Sequence, residues 1–143
     1  MAKRILAPID ARERSEAIVP IVGALARDGG STVRLLRVFP VPTRVVGNHG
    51  RTVAYTDQEM ARLTAEGLAE LRRLETQLSG VPVETVVRFG EPAEEIVLEA
   101  EAFDADLIAL AADRQGYLRT ALAPSVSDRI TRKAHVPTLT LRS

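Results

Sequence analysis

The feature that most constrains this chain is a regular alternation between short apolar runs and segments with helical spacing. Five runs rich in β-branched and aliphatic residues predict strands, at residues 5–9, 32–39, 83–89, 107–111 and 138–142. Four intervening segments predict helices, at residues 15–27, 56–78, 92–103 and 125–133. Strands and helices that alternate in this way predict an α/β fold in which a doubly wound parallel sheet of five strands carries helices on both faces.

No linker, repeat or shift in composition divides the 143 residues, so the sequence predicts one domain spanning residues 1–143. In sheets of this type, ligands bind beyond the carboxyl ends of the strands, at the point where the strand order reverses. Asp10 follows the first predicted strand, and residues 111–114 end the fourth. If these two strands are neighbours at the reversal, both segments line one crevice.

Composition excludes several classes of protein. Nineteen basic residues balance nineteen acidic ones, which gives no general attraction to nucleic acid or to an anionic membrane. The absence of cysteine removes disulfides, thiolate metal sites and cysteine nucleophiles, and two histidines are too few for a histidine-rich metal site. No apolar run is long enough to span a bilayer, and the first one is too short for a signal peptide. A cytoplasmic protein is therefore expected.

The second helix has clear predicted boundaries. Residues 43–55, which include the loop sequence GNHGR, predict an irregular connection. Thr56, with Glu59 three residues later, predicts a capping box that opens the helix. The Ser79-Gly80 pair predicts its end.

The faces of two other helices follow from their spacing. In the first helix, Ile18, Val22 and Leu25 are expected to share the buried face. In the third helix, a solvated acidic face is expected from Glu94, Glu95 and Glu99.

Segments distributed along the whole chain resemble the universal stress protein family. They are ILAPID followed by a helix, LLRVFPV, FGEPAEEIVLEAEAFDADLIALAA and PSVSDRITRKAHVPTLTLR. The most specific piece is the sequence GEPA at 90–93, which leads into a helix and then into the DLI sequence at 106–108. The resemblance implies a single Rossmann-like domain with strand order 3-2-1-4-5, a regulatory role in a stress response, and dimers formed through the last strand.

The resemblance also implies where a nucleotide would bind. Nucleotide-binding members carry three glycines and then a serine or threonine, at positions that correspond here to Ala111, Arg114, Pro124 and Ser125. Only the hydroxyl residue is kept. Arg114 penalises any positive φ that the loop needs, Pro124 has no N–H to donate to a phosphate, and Asp113 would repel one. No cofactor is therefore expected, and ATP is the alternative.

Other residues belong to the same predicted site. The resemblance implies that Asp10 contacts the nucleotide and Val38 contacts adenine; the structural alternatives are a carboxylate that binds the following turn and a core valine. Ser127 lies in the sequence SVSD, which predicts either an ordinary capped helix or an anion site. Arg114 and Arg119 are candidates for replacement phosphate contacts or for solvated loop charges.

Two observations determine the expected function: the open edge of the last strand and the lack of a recognisable set of catalytic residues. An unprotected β edge suited to pairing with a second copy is formed by Thr138, Leu139, Thr140, Leu141 and Arg142. Neither histidine has a serine or carboxylate at a recognisable spacing, so no catalytic residue is assigned. The sequence predicts a homodimeric regulatory protein with a decayed nucleotide site, acting on an unknown protein partner. The alternatives are a module that binds ATP, AMP or another small anion, and a slow nucleotide hydrolase.

Overall fold

A computed structural model describes residues 3–10, 16–42, 51–112 and 126–142. Strands and helices alternate along these residues, as the sequence predicts. In chain order the elements are β1 (Arg4–Pro8), α1 (Ile18–Gly29), β2 (Thr32–Phe39), α2 (Arg51–Glu75), β3 (Val83–Phe89), α3 (Pro92–Phe103), β4 (Leu107–Ala112), α4 (Val126–Lys133) and β5 (Thr138–Arg142).

All five strands lie in one sheet in the order β3-β2-β1-β4-β5, and each neighbouring pair is parallel. The predicted fold class and strand order are therefore confirmed. The order reverses at β1, which lies between β2 and β4. Parallel neighbours need crossover connections, and the helices provide them.

Two apolar cores lie on opposite faces of the sheet. Helices α1 and α2 cover the first core, whose fully buried members include Ile5, Ile18, Leu35, Leu71 and Leu74. Helices α3 and α4 cover the second, whose buried members include Leu6, Leu36, Ile96, Ile108 and Ile130. Ile5 and Leu6 enter different cores because side chains alternate along a strand. Burial on both faces explains why residues 5–7 of β1 are all apolar.

Helix α2 begins earlier than the sequence predicts. It starts at Arg51, so Thr56 and Glu59 lie inside the helix and do not open it. The expected irregular connection is wrong for residues 51–55, and residues 43–50 lie outside the described ranges. Once a helix exists, each added residue gains a hydrogen bond at little cost, and a threonine with capping potential does not stop it.

The end of α2 also differs, because the helix stops at Glu75 and not at Ser79-Gly80. The N–H groups of Gln77 and Leu78 then donate to the carbonyls of Leu74 and Glu75, both at 2.9 Å. These are tighter turns that continue the helical path for a few residues. Leu78 is thereby carried into the core, where it is 1% exposed, and the apolar period extends past the helix.

Leu25 does not share the buried face of α1, because its side chain is 42% exposed. Ala26 is the buried residue of that turn. The helical period allows either position, and only packing against the core decides that Ala26 is the buried one.

Candidate functional site

The candidate site is the crevice at the carboxyl ends of β1 and β4, where the strand order reverses. β1 pairs with β2 along its whole length, but it pairs with β4 only through Ile5 and Leu6. Pro8 has no N–H with which to extend a ladder, and β4 continues to Ala112. Over the residues that the structure describes, the ladder between β1 and β4 is therefore short and does not reach the carboxyl ends of the two strands.

Three of the predicted site residues lie at this edge of the sheet. Asp10 follows β1, Val38 is near the end of β2, and Ala111 is near the end of β4. Since β2, β1 and β4 are adjacent and parallel, the sheet brings these positions to one edge. The Asp10 side chain is half-buried and takes part in at least one interaction within the protein. Val38 is also half-buried and packs against the core beneath α3 and α4.

Ser127 lies in the first turn of α4, and its side chain is almost completely buried, with 5% exposed. Its carbonyl accepts a hydrogen bond from Thr131 Oγ1 at 2.9 Å. A helix that follows a parallel strand runs back across the sheet, so the N-terminus of α4 lies at the same edge as the crevice. Two other predicted site residues, Arg114 and Ser125, lie outside the described residues, as do Asp113, Arg119 and Pro124.

An ion pair that the sequence did not predict joins α3 to α4 at this edge. Glu91 is the N-cap residue of α3, where one carboxylate oxygen accepts the N–H of Glu94 at 2.8 Å and the other accepts from Arg129. Partial burial acts to raise the pKa of Glu91, but the N–H groups of Glu94 and Ala93 and the charge of Arg129 outweigh it. The pKa of Glu91 therefore lies below its ordinary value of 4.5.

A second cluster, which we call the α3 ion network, lies between α3 and the strands β2 and β3. Its members are Arg34, Glu84, Arg88, Glu95 and Glu99. Glu99 is only 4% exposed, and its two oxygens accept from different arginines. Arg34 donates to Glu99 Oε2, while Arg88 donates to Oε1 at 2.9 Å. The predicted solvated face is therefore wrong for Glu99 and for the partly buried Glu95; Glu94 alone is exposed.

Each arginine of the network also has a second carboxylate. Arg34 donates to Glu84 at 2.7 and 2.9 Å, and Arg88 donates to Glu95 at 2.9 Å. Burial acts to lower the pKa of Arg34, but its hydrogen bonds to Glu84 and Glu99 raise it overall, so the guanidinium stays charged. The sequence did contain a signal for this network, namely an arginine inside an apolar strand. A charge in such a place needs a partner of opposite charge.

The described residues show neither a metal-binding group nor a membrane-spanning helix. Within 3–10, 16–42, 51–112 and 126–142, no three or more His, Cys, Asp or Glu side chains are grouped so that they could hold a metal ion. None of the helices in these ranges is both long enough and apolar enough to cross a membrane.

β5 lies at one edge of the sheet and pairs with β4. The N–H of Ile108 donates to the carbonyl of Pro137 at 3.0 Å. In a parallel ladder, this bond directs the amides of Leu139 and Leu141 toward β4 and the amide of Thr140 toward the open edge. Leu141 packs against the core under α1 and α2, whereas Leu139 is 38% exposed. The edge therefore presents an outward amide and an accessible leucine.

Comparisons with known proteins agree on one family. The sequence model of the universal stress protein family matches residues 1–142. Universal stress protein MJ0577 of Methanocaldococcus jannaschii is 26% identical over an alignment of 155 positions. The alignment covers 99% of this chain and 96% of that protein.

Solved structures with the same fold include that of the Methanocaldococcus protein, with a TM-score of 0.80 at 25% identity over 99% of this chain and 96% of the other. A universal stress protein in complex with cAMP gives a TM-score of 0.72 at 16% identity, covering 99% and 97% of the two chains. One from Archaeoglobus fulgidus in complex with dAMP gives 0.59 at 20% identity, covering 98% and 97%.

Proposed function

Because the chain belongs to the universal stress protein family, we propose that it is a dimeric regulatory protein that acts through protein contacts and has a degenerate nucleotide site. The observation that carries this proposal is the loss of all three glycines of the family's nucleotide motif, at Ala111, Arg114 and Pro124. The family match over residues 1–142 supports treating residues 1–143 as one domain.

Two of these three replacements, together with one neighbouring residue, act against phosphate binding in different ways. Pro124 removes a backbone donor immediately before Ser125, and Arg114 disfavours the positive φ that a glycine would allow. Asp113 adds a negative charge close to the expected phosphate. Each lost charge-assisted contact is worth about 1.5–3 kcal/mol, so two losses weaken binding by on the order of 10²-fold or more.

The dimer is proposed to form by antiparallel pairing of two β5 strands. The open edge of β5 supports this arrangement, because the outward amide of Thr140 needs an acceptor and Leu139 is partly exposed. Such pairing uses the same surface on both copies, as a two-fold dimer requires. A monomer mass by light scattering at micromolar concentration would contradict the dimer.

A second candidate function is binding of an adenine nucleotide or another small anion in the crevice. It is supported by the placement of Asp10, Val38 and Ala111 at the edge where ligands bind in this fold. Relatives with the same fold were solved with cAMP and with dAMP. Arg114 and Arg119 would then supply phosphate contacts in place of the glycine-rich backbone.

Calorimetric titration with ATP, AMP and cAMP separates the two functions. We expect no ATP binding at low micromolar concentration by the unmodified protein. Combining Ala111→Gly, Arg114→Gly and Pro124→Gly with Asp113→Asn should strengthen ATP binding, because it restores the backbone donor and removes the repelling charge. Low-micromolar ATP affinity in the unmodified protein, or ATP carried through purification, would replace the first function with the second.

A slow nucleotide hydrolase is a third candidate, although the sequence offers no assigned base. Turnover of labelled ATP tests it directly. Release of phosphate above the rate of a heat-denatured control would establish that activity and overturn a purely regulatory role.

A further inference from the structure

A cavity that the proposed function does not use lies between the C-terminal ends of α3 and α4. Its volume is about 270 Å³, and its apolar wall includes Val97, Ala100, Ala105 and Val136. Ala105 precedes β4 and Val136 precedes β5, so the cavity lies at the amino-terminal edge of the sheet. The nucleotide crevice lies at the opposite, carboxyl-terminal edge. The two sites are therefore separate.

The polar part of the cavity is negatively charged. Two acidic residues, Glu101 and Asp104, belong to its lining, together with His135. Among the described residues that form this lining, none is a lysine or an arginine. α3 ends at Phe103 beside the cavity, and the C-terminus of a helix carries partial negative charge. An apolar wall with a negative rim favours a ligand that has an apolar body and a cationic head.

The side chain of Arg4 already places one positive charge near the rim of the cavity. The Arg4 guanidinium lies 3.8 Å from the Asp104 carboxylate, but both groups are mostly exposed, at 52% and 92%. A pair this exposed contributes little, so Arg4 is only a weak competitor for a cation bound at the rim. The same guanidinium donates to the carbonyl of Phe103 at 3.2 Å, which holds it on the β1 side.

We propose that this cavity binds a small organic cation, a primary ammonium group on a compact apolar body. The volume is just below the range of about 300–1,000 Å³ that is usual for drug-sized ligands, which points to a body of roughly six to eight heavy atoms. For so few atoms and so exposed a rim, the dissociation constant is expected to be about millimolar.

The probe is cyclohexylmethylammonium, titrated at pH 8 and low salt into ¹⁵N-labelled full-length protein and followed by amide chemical shifts. Cyclohexylmethanol serves as the matched neutral ligand. The ammonium compound is expected to bind on the order of five-fold more tightly, and the preference should shrink in 0.5 M salt because the rim charges are exposed. The largest shifts are expected at Ala100, Ala105 and Val136.

Two variants separate binding from folding. Asp104 adopts a left-handed backbone conformation with φ 57°, which glycine accommodates without penalty. Asp104→Gly combined with Glu101→Gln should therefore fold at least as stably as the unmodified protein and lose the preference for the cation. The control, Asp28→Asn with Glu75→Gln, removes two exposed acidic charges from α1 and α2 on the other face of the sheet and should keep it.

Three results would overturn the proposal. They are equal affinity for the alcohol and the ammonium compound, shifts that map to the carboxyl-terminal crevice, and an unchanged preference in the Asp104→Gly, Glu101→Gln variant. Arg4→Gln is a further test, because removing a competing cation should tighten ammonium binding about two-fold. None of these outcomes depends on whether ATP binds, so failure here leaves the proposed function untouched.

Discussion

Glu99→Gln tests the α3 ion network, because this substitution removes one charge without changing the shape of the side chain. The two carboxylate oxygens accept from different arginines, Arg34 on Oε2 and Arg88 on Oε1. Glutamine has a single acceptor oxygen and an NH₂ group. Whichever way the amide is turned, one guanidinium faces a donor and loses its hydrogen bond.

The expected destabilisation follows from burial. Breaking a fully buried ion pair costs about 3–5 kcal/mol. Here the Glu99 side chain is 5% exposed, but Arg34 is 21% exposed and Arg88 is 29% exposed. Each arginine also keeps a second carboxylate. We therefore expect a loss of about 2 kcal/mol in the free energy of unfolding, which corresponds to a fall in Tm of about 8 °C for a chain of this size.

Urea unfolding followed by circular dichroism measures this loss, with Glu94→Gln as the matched control. Glu94 is on the same helix and is exposed, so its substitution should change the unfolding free energy by less than about 0.5 kcal/mol. A double-mutant cycle with Arg88→Met should give a coupling energy of about 1 kcal/mol or more. If Glu99→Gln were no more destabilising than the control, the network would contribute nothing to stability and the reasoning would be wrong.

Three further predictions concern packing, assembly and acid sensitivity. Gly67→Ala should destabilise the fold by about 1–2 kcal/mol in urea, because the added Cβ would lie 2.9 Å from the Phe39 ring; a gain in stability would show that the contact relaxes. Thr140→Pro should reduce the dimer mass in light scattering, since proline donates no bond at the open edge, while Thr140→Val should not. Glu91, whose pKa is lowered in the folded state, contributes stability that is present above pH 4.5 and is lost as the pH falls through its folded pKa. Glu91→Gln should therefore make the free energy of unfolding less dependent on pH in that range. If the pH dependence were unchanged, the role of Arg129 would be contradicted.

The nucleotide crevice and the cavity between α3 and α4 are formed by different parts of the fold. The crevice needs a loop whose sequence has changed at Ala111, Arg114 and Pro124, whereas the cavity is formed by the ends of α3 and α4. The two proposals assign a weakened nucleotide site to one edge of the sheet and a site for a small cationic ligand to the other edge. Measuring both kinds of ligand on one preparation distinguishes these roles.

Much of the fold was predictable because it depends on local patterns. The apolar runs at residues 5–9 and 107–111 have no polar interruptions, which is typical of strands buried on both faces. Proline just after Glu91 placed the start of α3 correctly, since its missing N–H is tolerated only in the first turn. The resemblance added the strand order, which periodicity alone does not give.

The sequence by itself therefore determined the alternating elements, because each depends on residues close together in the chain, and the alternation in turn implied a parallel sheet. Only the tertiary structure decided that Glu99 is buried between Arg34 and Arg88, residues that are 65 and 11 positions away. It alone joined Glu91 to Arg129 across 38 positions. An acidic residue on a helix has the same local pattern whether it faces water or a guanidinium. The difference arises only when the helix packs against particular strands.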